Sequence, residues 1–184
     1  SEEGRGARTR AGAMAVAKQG RVITELIARG IVNAIVSTGA LMAHGLVEAT
    51  GHAHFRYNPE VSDERLYQQG YNRVYDTLEP EQNLDDVERV MFEVLEQWDP
   101  SEMLCSYKLN HAIGQYLAEH AKVQRGILKS AFEKGVPVFV PAVPDSELGL
   151  DVALSHPLRE AAGGPQPPLH PPRPPSPFAL PPPP

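Results

Sequence analysis

The chain has 184 residues, a formal net charge of −6, and 41% hydrophobic and 22% charged residues. This length suits one domain with a short extension, and the composition supplies enough apolar side chains for a core. The acidic balance argues against a nucleic-acid-binding module, which normally presents a basic face. The lack of an apolar run of about 20 residues argues against a membrane-spanning protein. The first residues show no signal-peptide pattern and Cys105 is the only cysteine, which favours a reducing, cytoplasmic location.

Prolines are concentrated at the C-terminal end of the chain. Twelve of the nineteen lie in residues 165–184, and such a segment lacks the backbone donors and apolar side chains that a packed core needs. We therefore predict a disordered Pro-rich tail over residues 157–184, after a frayed segment over 1–12 and a partial α/β domain over 13–156. The P-x-x-P spacing around Arg173 fits an SH3-type groove, although any proline-dense tail contains that spacing by chance. A shifted reading frame would also produce this abrupt change in composition.

Helices and strands alternate in the first part of the domain. Apolar spacing over residues 13–29 predicts a helix, and the β-branched run over 31–36 predicts a strand covered on both faces. A turn of small polar residues over 37–40 leads into a predicted helix over 41–50. Residues 52–61 are expected to form a loop.

The next part of the sequence is mostly helical. Ser62 is expected to cap a short helix and Asn83 a longer one, whose apolar stripe ends at Trp98. Ser101 is expected to cap a third helix, and residues 127–134 predict a fourth.

A second buried strand is predicted over residues 136–140, followed by a loop and a helix near Leu150. Strands separated by helices predict an α/β fold, a parallel sheet flanked by helices. Ligands of such sheets bind beyond the carboxyl ends of the strands. That edge holds the turn over residues 37–40 and the loop over 144–147, which together form the candidate site.

The turn after the first predicted strand could bind a phosphate. It consists of Ser37, Thr38, Gly39 and Ala40, so hydroxyls and small residues precede a helix N-terminus. Such a terminus offers backbone N–H groups and the positive end of the helix dipole to an anion. Taken alone, the motif is more typical of an ordinary tight turn between a strand and a helix.

The loop after the second predicted strand carries Asp145, Ser146 and Glu147. Its carboxylates could accept hydrogen bonds from ribose hydroxyls or bind an amine. Asp145 or Ser146 could instead cap the following helix.

Three histidines, His44, His52 and His54, lie close together in the sequence. His52 and His54 have the spacing of a ligand pair, but no cysteine or carboxylate lies at a supporting zinc spacing. We therefore expect loop or surface imidazoles and predict no metal site. Cys105 is expected to be a packing thiol.

Three segments, taken in order, resemble the deoxyhypusine synthase family, and more closely its bacterial, deoxyhypusine synthase-like branch. They are residues 32–40 (VNAIVSTGA), residues 70–76 (GYNRVYD) with Pro80, and residues 136–149 (VPVFVPAVPDSELG). The resemblance covers residues 13–154 and implies that they form the middle of a protein about twice this length.

The resemblance implies a Rossmann-like domain that binds NAD, in a homotetramer with active sites at dimer interfaces. It also implies transfer of an aminobutyl group from spermidine, through an imine on an enzyme lysine, to a protein lysine. By motif position, Thr38, Gly39 and Ala40 correspond to the family's NAD-binding turn and Asp145 to its NAD-binding aspartate. The predicted cofactor-binding residues are Ser37, Thr38, Gly39, Ala40, Asp145 and Ser146, and the predicted substrate-binding residues are His44 and Glu147.

Two departures from the family pattern shape the functional prediction. Ala43 and His44 stand where spermidine-using members carry two adjacent glutamates, although a histidine fits the bacterial pattern S-T-G-A-N-x-x-H-D. The family's catalytic-lysine motif does not occur in this chain. We therefore predict a fragment of an NAD-dependent deoxyhypusine synthase-like transferase that is inactive alone and has no catalytic residue of its own. The alternatives are a transferase for another amine, in a homospermidine-type reaction, and a non-catalytic interaction protein that uses the Pro-rich tail.

Overall fold

The computed structural model describes residues 7–9, 15, 18–99, 101–120, 125–142, 146, 148–150, 152 and 153. These residues contain two small sheets, six numbered helices, and helical residues at 148–150, 152 and 153, near the helix predicted at Leu150. The elements follow one another as β1 (Ala7–Thr9), α1 (Gly20–Ala28), β2 (Ala34–Val36), α2 (Gly39–Ala49), β3 (Phe55–Arg56), α3 (Asp63–Gln68), β4 (Tyr71–Val74), β5 (Thr77–Pro80), α4 (Gln82–Glu96), α5 (Ser106–His120), α6 (Ile127–Glu133) and β6 (Val138–Phe139). Within these residues, no helix is both long enough and apolar enough to cross a bilayer. The predicted Pro-rich tail and its P-x-x-P motif lie outside the described residues.

The first sheet is parallel and has β2 at its centre, between β1 and β6. Ile35 lies opposite Val138, and the backbone N–H of Ser37 donates to the carbonyl of Phe139 at 2.9 Å. Strands joined through helices form this parallel arrangement, which confirms the predicted α/β class. β2 and β6 are both shorter than the β-branched runs that predicted them.

The N-terminal segment contributes a strand, although the sequence predicted fraying there. Ala7–Thr9 pair in parallel with Ala34–Val36 along one edge of the sheet. A strand of three residues is too short to show the alternation that identifies longer strands, so the sequence pattern missed it.

The second sheet is antiparallel, with the order β3-β5-β4, and the sequence did not predict it. β4 and β5 form a hairpin whose two-residue loop contains Tyr75, at φ 58°. Both outer strands are only partly buried, so they lack the clear apolar alternation that predicts a strand. β3 also lies inside the segment 52–61 that was expected to be a loop.

The main core is one continuous apolar cluster built from β2, β6 and every helix except α3. Ile35 of β2, Met91 of α4 and Ile113 of α5 are 1%, 0% and 0% exposed. Leu66 of α3 and Leu78 of β5 are buried outside this cluster. The antiparallel sheet therefore packs beside the main core without joining it.

Helix boundaries agree with the sequence at α3 and, to within one residue, at α6, whereas several other helix ends differ. The Ser62 hydroxyl accepts a hydrogen bond from the N–H of Arg65, which confirms the predicted cap. Asn83 lies inside α4, where its side chain donates to the carbonyl of Ala53, and Ser101 bonds Asp99 in the loop before α5. Neither residue caps a helix, because α4 begins at Gln82, before Asn83, and α5 begins at Ser106, well after Ser101.

The start of α1 and the end of α4 also differ from the positions that the sequence predicted. α1 begins at Gly20, after Lys18 adopts φ 61°, a turn conformation that prevents the helix from starting earlier. Trp98, expected in the core, lies just beyond α4, half-buried, and its indole N–H donates to the carbonyl of Glu102.

Candidate functional site

The two turns that leave the carboxyl ends of β2 and β6 pack directly against each other. A Cβ atom on Gly39 would lie 2.0 Å from the Cβ of Ser146 and 2.3 Å from its Oγ. Only a residue without a side chain fits at this first position of α2. The structure therefore brings together Gly39 and Ser146, two of the residues that the sequence selected, at the edge where a parallel sheet binds ligands.

The other predicted residues are distributed around this contact. Ser37 and Thr38 immediately precede α2, and Ala40 lies in its first turn. Asp145 and Glu147 lie outside the described residues.

Two hydroxyl groups at the end of β2 are buried without a partner. Within the described residues, neither Oγ of Ser37 nor Oγ1 of Thr38 makes a hydrogen bond. Thr38 has the extended backbone of an N-cap residue, at φ −98° and ψ 159°, yet its side chain does not cap α2. An unsatisfied buried hydroxyl costs about 1–3 kcal/mol, so this turn holds polar groups suited to a ligand.

A pocket of about 280 Å³ opens next to the end of β6. It is lined by Leu104, Cys105, Ser106, Leu109, Val140, Pro141, Gly149 and Val152. Cys105 is exposed at its wall, so the expectation of a packing thiol was wrong. The loop before α5 leaves this side chain outside the main core.

A second group of polar residues lies farther along α2. His44 of α2 and His54, just before β3, meet Glu79 of β5: Nδ1 of His44 is 3.0 Å from Oε2 of Glu79, and Nε2 of His54 is 3.1 Å from Oε1. The side chains of His44, His54 and Glu79 are 14%, 0% and 2% exposed. We refer to these three residues as the His–Glu cluster.

The expectation of a loop or surface imidazole was wrong for His44, which lies in α2 and is largely buried. His54 does lie in the loop before β3, but its side chain is fully buried. His52 is half-buried, lies outside the cluster, and contacts Asp86 at 2.9 Å.

Local spacing could not reveal the carboxylate that pairs with His44 and His54. Glu79 lies 25 residues beyond His54 and reaches it through the hairpin of β4 and β5, which the sequence did not predict. Glu79 stands between Asp76 and Glu81 in an acidic stretch, so no local signal in the sequence distinguished it.

Burial and hydrogen bonding act in opposite directions on the His–Glu cluster. Burial raises the pKa of Glu79, but hydrogen bonds with His44 and His54 outweigh it and bring that pKa to about 2. Burial lowers the pKa of His54, but hydrogen bonds with Glu48 and Glu79 outweigh it and bring that pKa to about 9. The metal-free cluster therefore holds an ionised glutamate beside a protonated imidazole at neutral pH.

His44 was also predicted to contact substrate. The structure directs its Nδ1 to Glu79, and the substrate contact stays a prediction.

A parallel sheet flanked by helices, with two strand-end turns in contact at its carboxyl edge, defines an α/β protein of Rossmann-like architecture. The sequence model of one family, Deoxyhypusine synthase, matches residues 3–164. The chain belongs to the deoxyhypusine synthase family.

Individual relatives agree with this assignment. The chain is 36% identical over 144 residues to probable deoxyhypusine synthase 1 of Methanosarcina mazei, covering 78% of this chain and 44% of the relative. It is 32% identical over 136 residues to a deoxyhypusine synthase-like protein of Coxiella burnetii, covering 73% of this chain and 38% of the relative. The chain thus spans less than half the length of these relatives.

A solved structure shares the fold. The crystal structure of a putative deoxyhypusine synthase from Entamoeba histolytica superposes with a TM-score of 0.58 at 15% identity. The match covers 85% of this chain and 46% of that one.

Proposed function

We propose that this chain forms the dinucleotide-binding part of a deoxyhypusine synthase-type transferase, with NAD bound where β2 and β6 end. The observation that carries the proposal is the contact between Gly39 and Ser146, which leaves no room for a side chain between the two turns. Such close backbone approach at the carboxyl edge of neighbouring parallel strands is typical of dinucleotide sites. Membership of the family supports the choice of NAD.

The residues of the two turns have complementary roles in this proposal. The N-terminus of α2 at Gly39 and Ala40 would face a phosphate group, because its backbone N–H groups and helix dipole favour an anion. The hydroxyls of Ser37 and Thr38, which have no partner among the described residues, would form hydrogen bonds with the cofactor. Asp145, assisted by Ser146, would accept hydrogen bonds from ribose hydroxyls. NAD bound at this site would accept a hydride and later return it, as an aminobutyl transfer requires.

The whole protein would act on a polyamine, with a protein lysine as acceptor, as a homo-oligomer. Glu147 would contact the amine. The chain itself contains no match to the family's catalytic-lysine motif, so we propose that it binds the cofactor without completing the transfer. Since His44 stands at the position of a family glutamate, a homospermidine-type reaction on another amine is the alternative.

The test is NAD binding by the wild-type chain and by Thr38→Val, measured by calorimetric titration. Valine has the shape of threonine without the hydroxyl. We expect wild type to bind NAD and Thr38→Val to bind about 5- to 10-fold more weakly, as the loss of one hydrogen bond of about 1 kcal/mol requires. The free energy of unfolding of NAD-free Thr38→Val should equal or exceed that of wild type, because an unsatisfied buried hydroxyl has been removed.

Thr50→Val is the matched control, at the other end of α2, where the hydroxyl already bonds to the carbonyls of Leu46 and Val47. It should keep wild-type NAD affinity. Failure of wild type to bind NAD, or equal affinity in Thr38→Val, would contradict the proposed site.

A further inference from the structure

We propose that His44, His54 and Glu79, the His–Glu cluster, form a binding site for one divalent transition-metal ion of the zinc class. Their ligand atoms, two imidazole nitrogens and a carboxylate oxygen, all lie within 4.8 Å of one another. Two histidines and one glutamate are a ligand set that zinc takes, with the fourth position left to water. This inference is independent of the proposed NAD site.

The distances within the cluster suit such an ion. Zinc lies about 2.0–2.2 Å from nitrogen and oxygen ligands, so tetrahedral neighbours are separated by roughly 3.3 Å. Glu79 contacts His44 through Oε2 at 3.0 Å and His54 through Oε1 at 3.1 Å, so each imidazole nitrogen lies near that separation from a carboxylate oxygen. The two imidazole rings are inclined at 68° with centroids 6.0 Å apart, so they approach Glu79 from different directions. Binding one ion would require the three ligand atoms, now within 4.8 Å of one another, to converge on it.

A second carboxylate lies behind one of the proposed ligands. Nδ1 of His54 is 3.4 Å from Oε1 of Glu48, while its Nε2 faces Glu79. Histidines that bind a metal through one nitrogen usually direct the other to a carboxylate, which fixes the ring and its tautomer. Glu48 is held in turn by Lys18 at 2.8 Å. Nothing in the NAD proposal accounts for this arrangement.

The cluster contains a buried negative charge. Glu79 is 2% exposed, and its ion-pair contacts among the described residues come from His44 and His54, with no lysine or arginine. A buried carboxylate needs a positive partner, and a bound metal ion would be one.

The position of the cluster gives the metal a structural consequence. Its ligands come from α2, from the segment before β3, and from β5, so the ion would join the main core to the antiparallel sheet that lies beside it. Glu48, which contacts His54, and Ala53, which precedes it, line a cleft of about 760 Å³.

The experiment measures zinc binding by the full chain, without a polyhistidine tag, after chelator treatment. Zinc is titrated against a competing indicator and the bound metal is counted by mass spectrometry. We expect one tightly bound equivalent in wild type, lost in Glu79→Gln and His44→Asn. Glu48→Gln should retain the ion with an affinity about 10- to 100-fold lower, the usual effect of removing the carboxylate behind a ligand.

His52→Asn is the matched control, because this neighbouring histidine pairs with Asp86 outside the cluster. It should bind zinc like wild type. Circular dichroism checks that each variant is folded. If Glu79→Gln unfolds, the zinc affinities of His44→Asn and Glu48→Gln still test the site. Absence of a stoichiometric ion in folded wild type would overturn the site, as would zinc uptake that is unchanged in His44→Asn or lost equally in His52→Asn.

Discussion

Gly39 illustrates how a single missing side chain can position a site. Alanine here would place its Cβ 2.0 Å from that of Ser146, so the two strand-end turns would have to separate. We expect Gly39→Ala to lower the free energy of unfolding by about 1–3 kcal/mol, the usual cost of overpacking, and to weaken NAD binding. Urea denaturation and NAD titration measure the two effects.

Gly45, in the same helix, provides the control for Gly39. A Cβ atom there would lie 3.5 Å from Ile127, an ordinary contact, so Gly45→Ala should stabilise α2 by up to about 1 kcal/mol. The double variant Gly39→Ala/Ser146→Gly removes the clash and should recover most of the lost stability. Equal effects of Gly39→Ala and Gly45→Ala would show that the contact with Ser146 is unimportant.

The sequence located the residues of the strand-end site better than those of the His–Glu cluster. Gly39 and Ser146 follow β-branched runs, and the geometry of parallel sheets brings such positions together whatever lies between them. Glu79 reaches His44 and His54 through the packing of a hairpin against a helix, which no local spacing encodes. Residue types alone therefore revealed two of the three cluster members without revealing that they meet.

At the level of elements, one ion pair joins α3 to the hairpin. Arg73 of β4 donates two hydrogen bonds to Asp63 at the start of α3, at 2.6 Å and 2.7 Å, and its guanidinium lies 4.9 Å from the ring centroid of Tyr57. The hydrogen bonds from Arg73 lower the pKa of Asp63 and outweigh the slight opposite effect of burial. The pair is exposed, so solvent screening keeps its contribution to stability small.

The pH dependence of this pair follows from the lowered pKa of Asp63. Its stabilising effect is present above the unfolded pKa of the carboxyl group and is lost as pH falls through the folded pKa. We expect an NMR titration of the Asp63 carboxyl carbon to give a midpoint below 3.8, and Arg73→Gln to raise it. Arg56→Gln, on β3 at the opposite edge of the same sheet, should leave the midpoint unchanged. A midpoint insensitive to Arg73→Gln would contradict the pairing.

Elements with strong apolar periodicity were predictable, and those that depend on pairing were not. The stripe of Val87, Val90 and Met91 correctly identified α4, since one buried face is sufficient to reveal a helix. The antiparallel strands are short and partly exposed, so their identity depends on partners that the sequence does not specify. Asn83 and Ser101 are not caps because α4 begins one residue before Asn83 and α5 begins only at Ser106.

For the whole molecule, the continuous core predicts a single cooperative transition. Ile35 is 1% exposed on the central strand, so Ile35→Ala should reduce the free energy of unfolding by about 2–5 kcal/mol. Urea transitions followed by the fluorescence of Trp98 and by circular dichroism should shift together, because α4 shares this core. Ile31, 45% exposed just before the same strand, is the control, and Ile31→Ala should cost roughly 1 kcal/mol or less. Separate midpoints for the two probes would contradict a single core.

The neighbours of β2 have a consequence for synthesis on the ribosome. β2 pairs on one side with β1, which is made before it, and on the other with β6, whose Val138 lies roughly 100 residues after Ile35. At about 5–20 residues per second, β6 emerges some 5 to 20 s after β2. During that interval the nascent chain exposes an unpaired strand edge, the feature through which growing polypeptides associate with one another. Slower initiation, which spaces ribosomes farther apart on the message, should therefore raise the yield of correctly assembled protein.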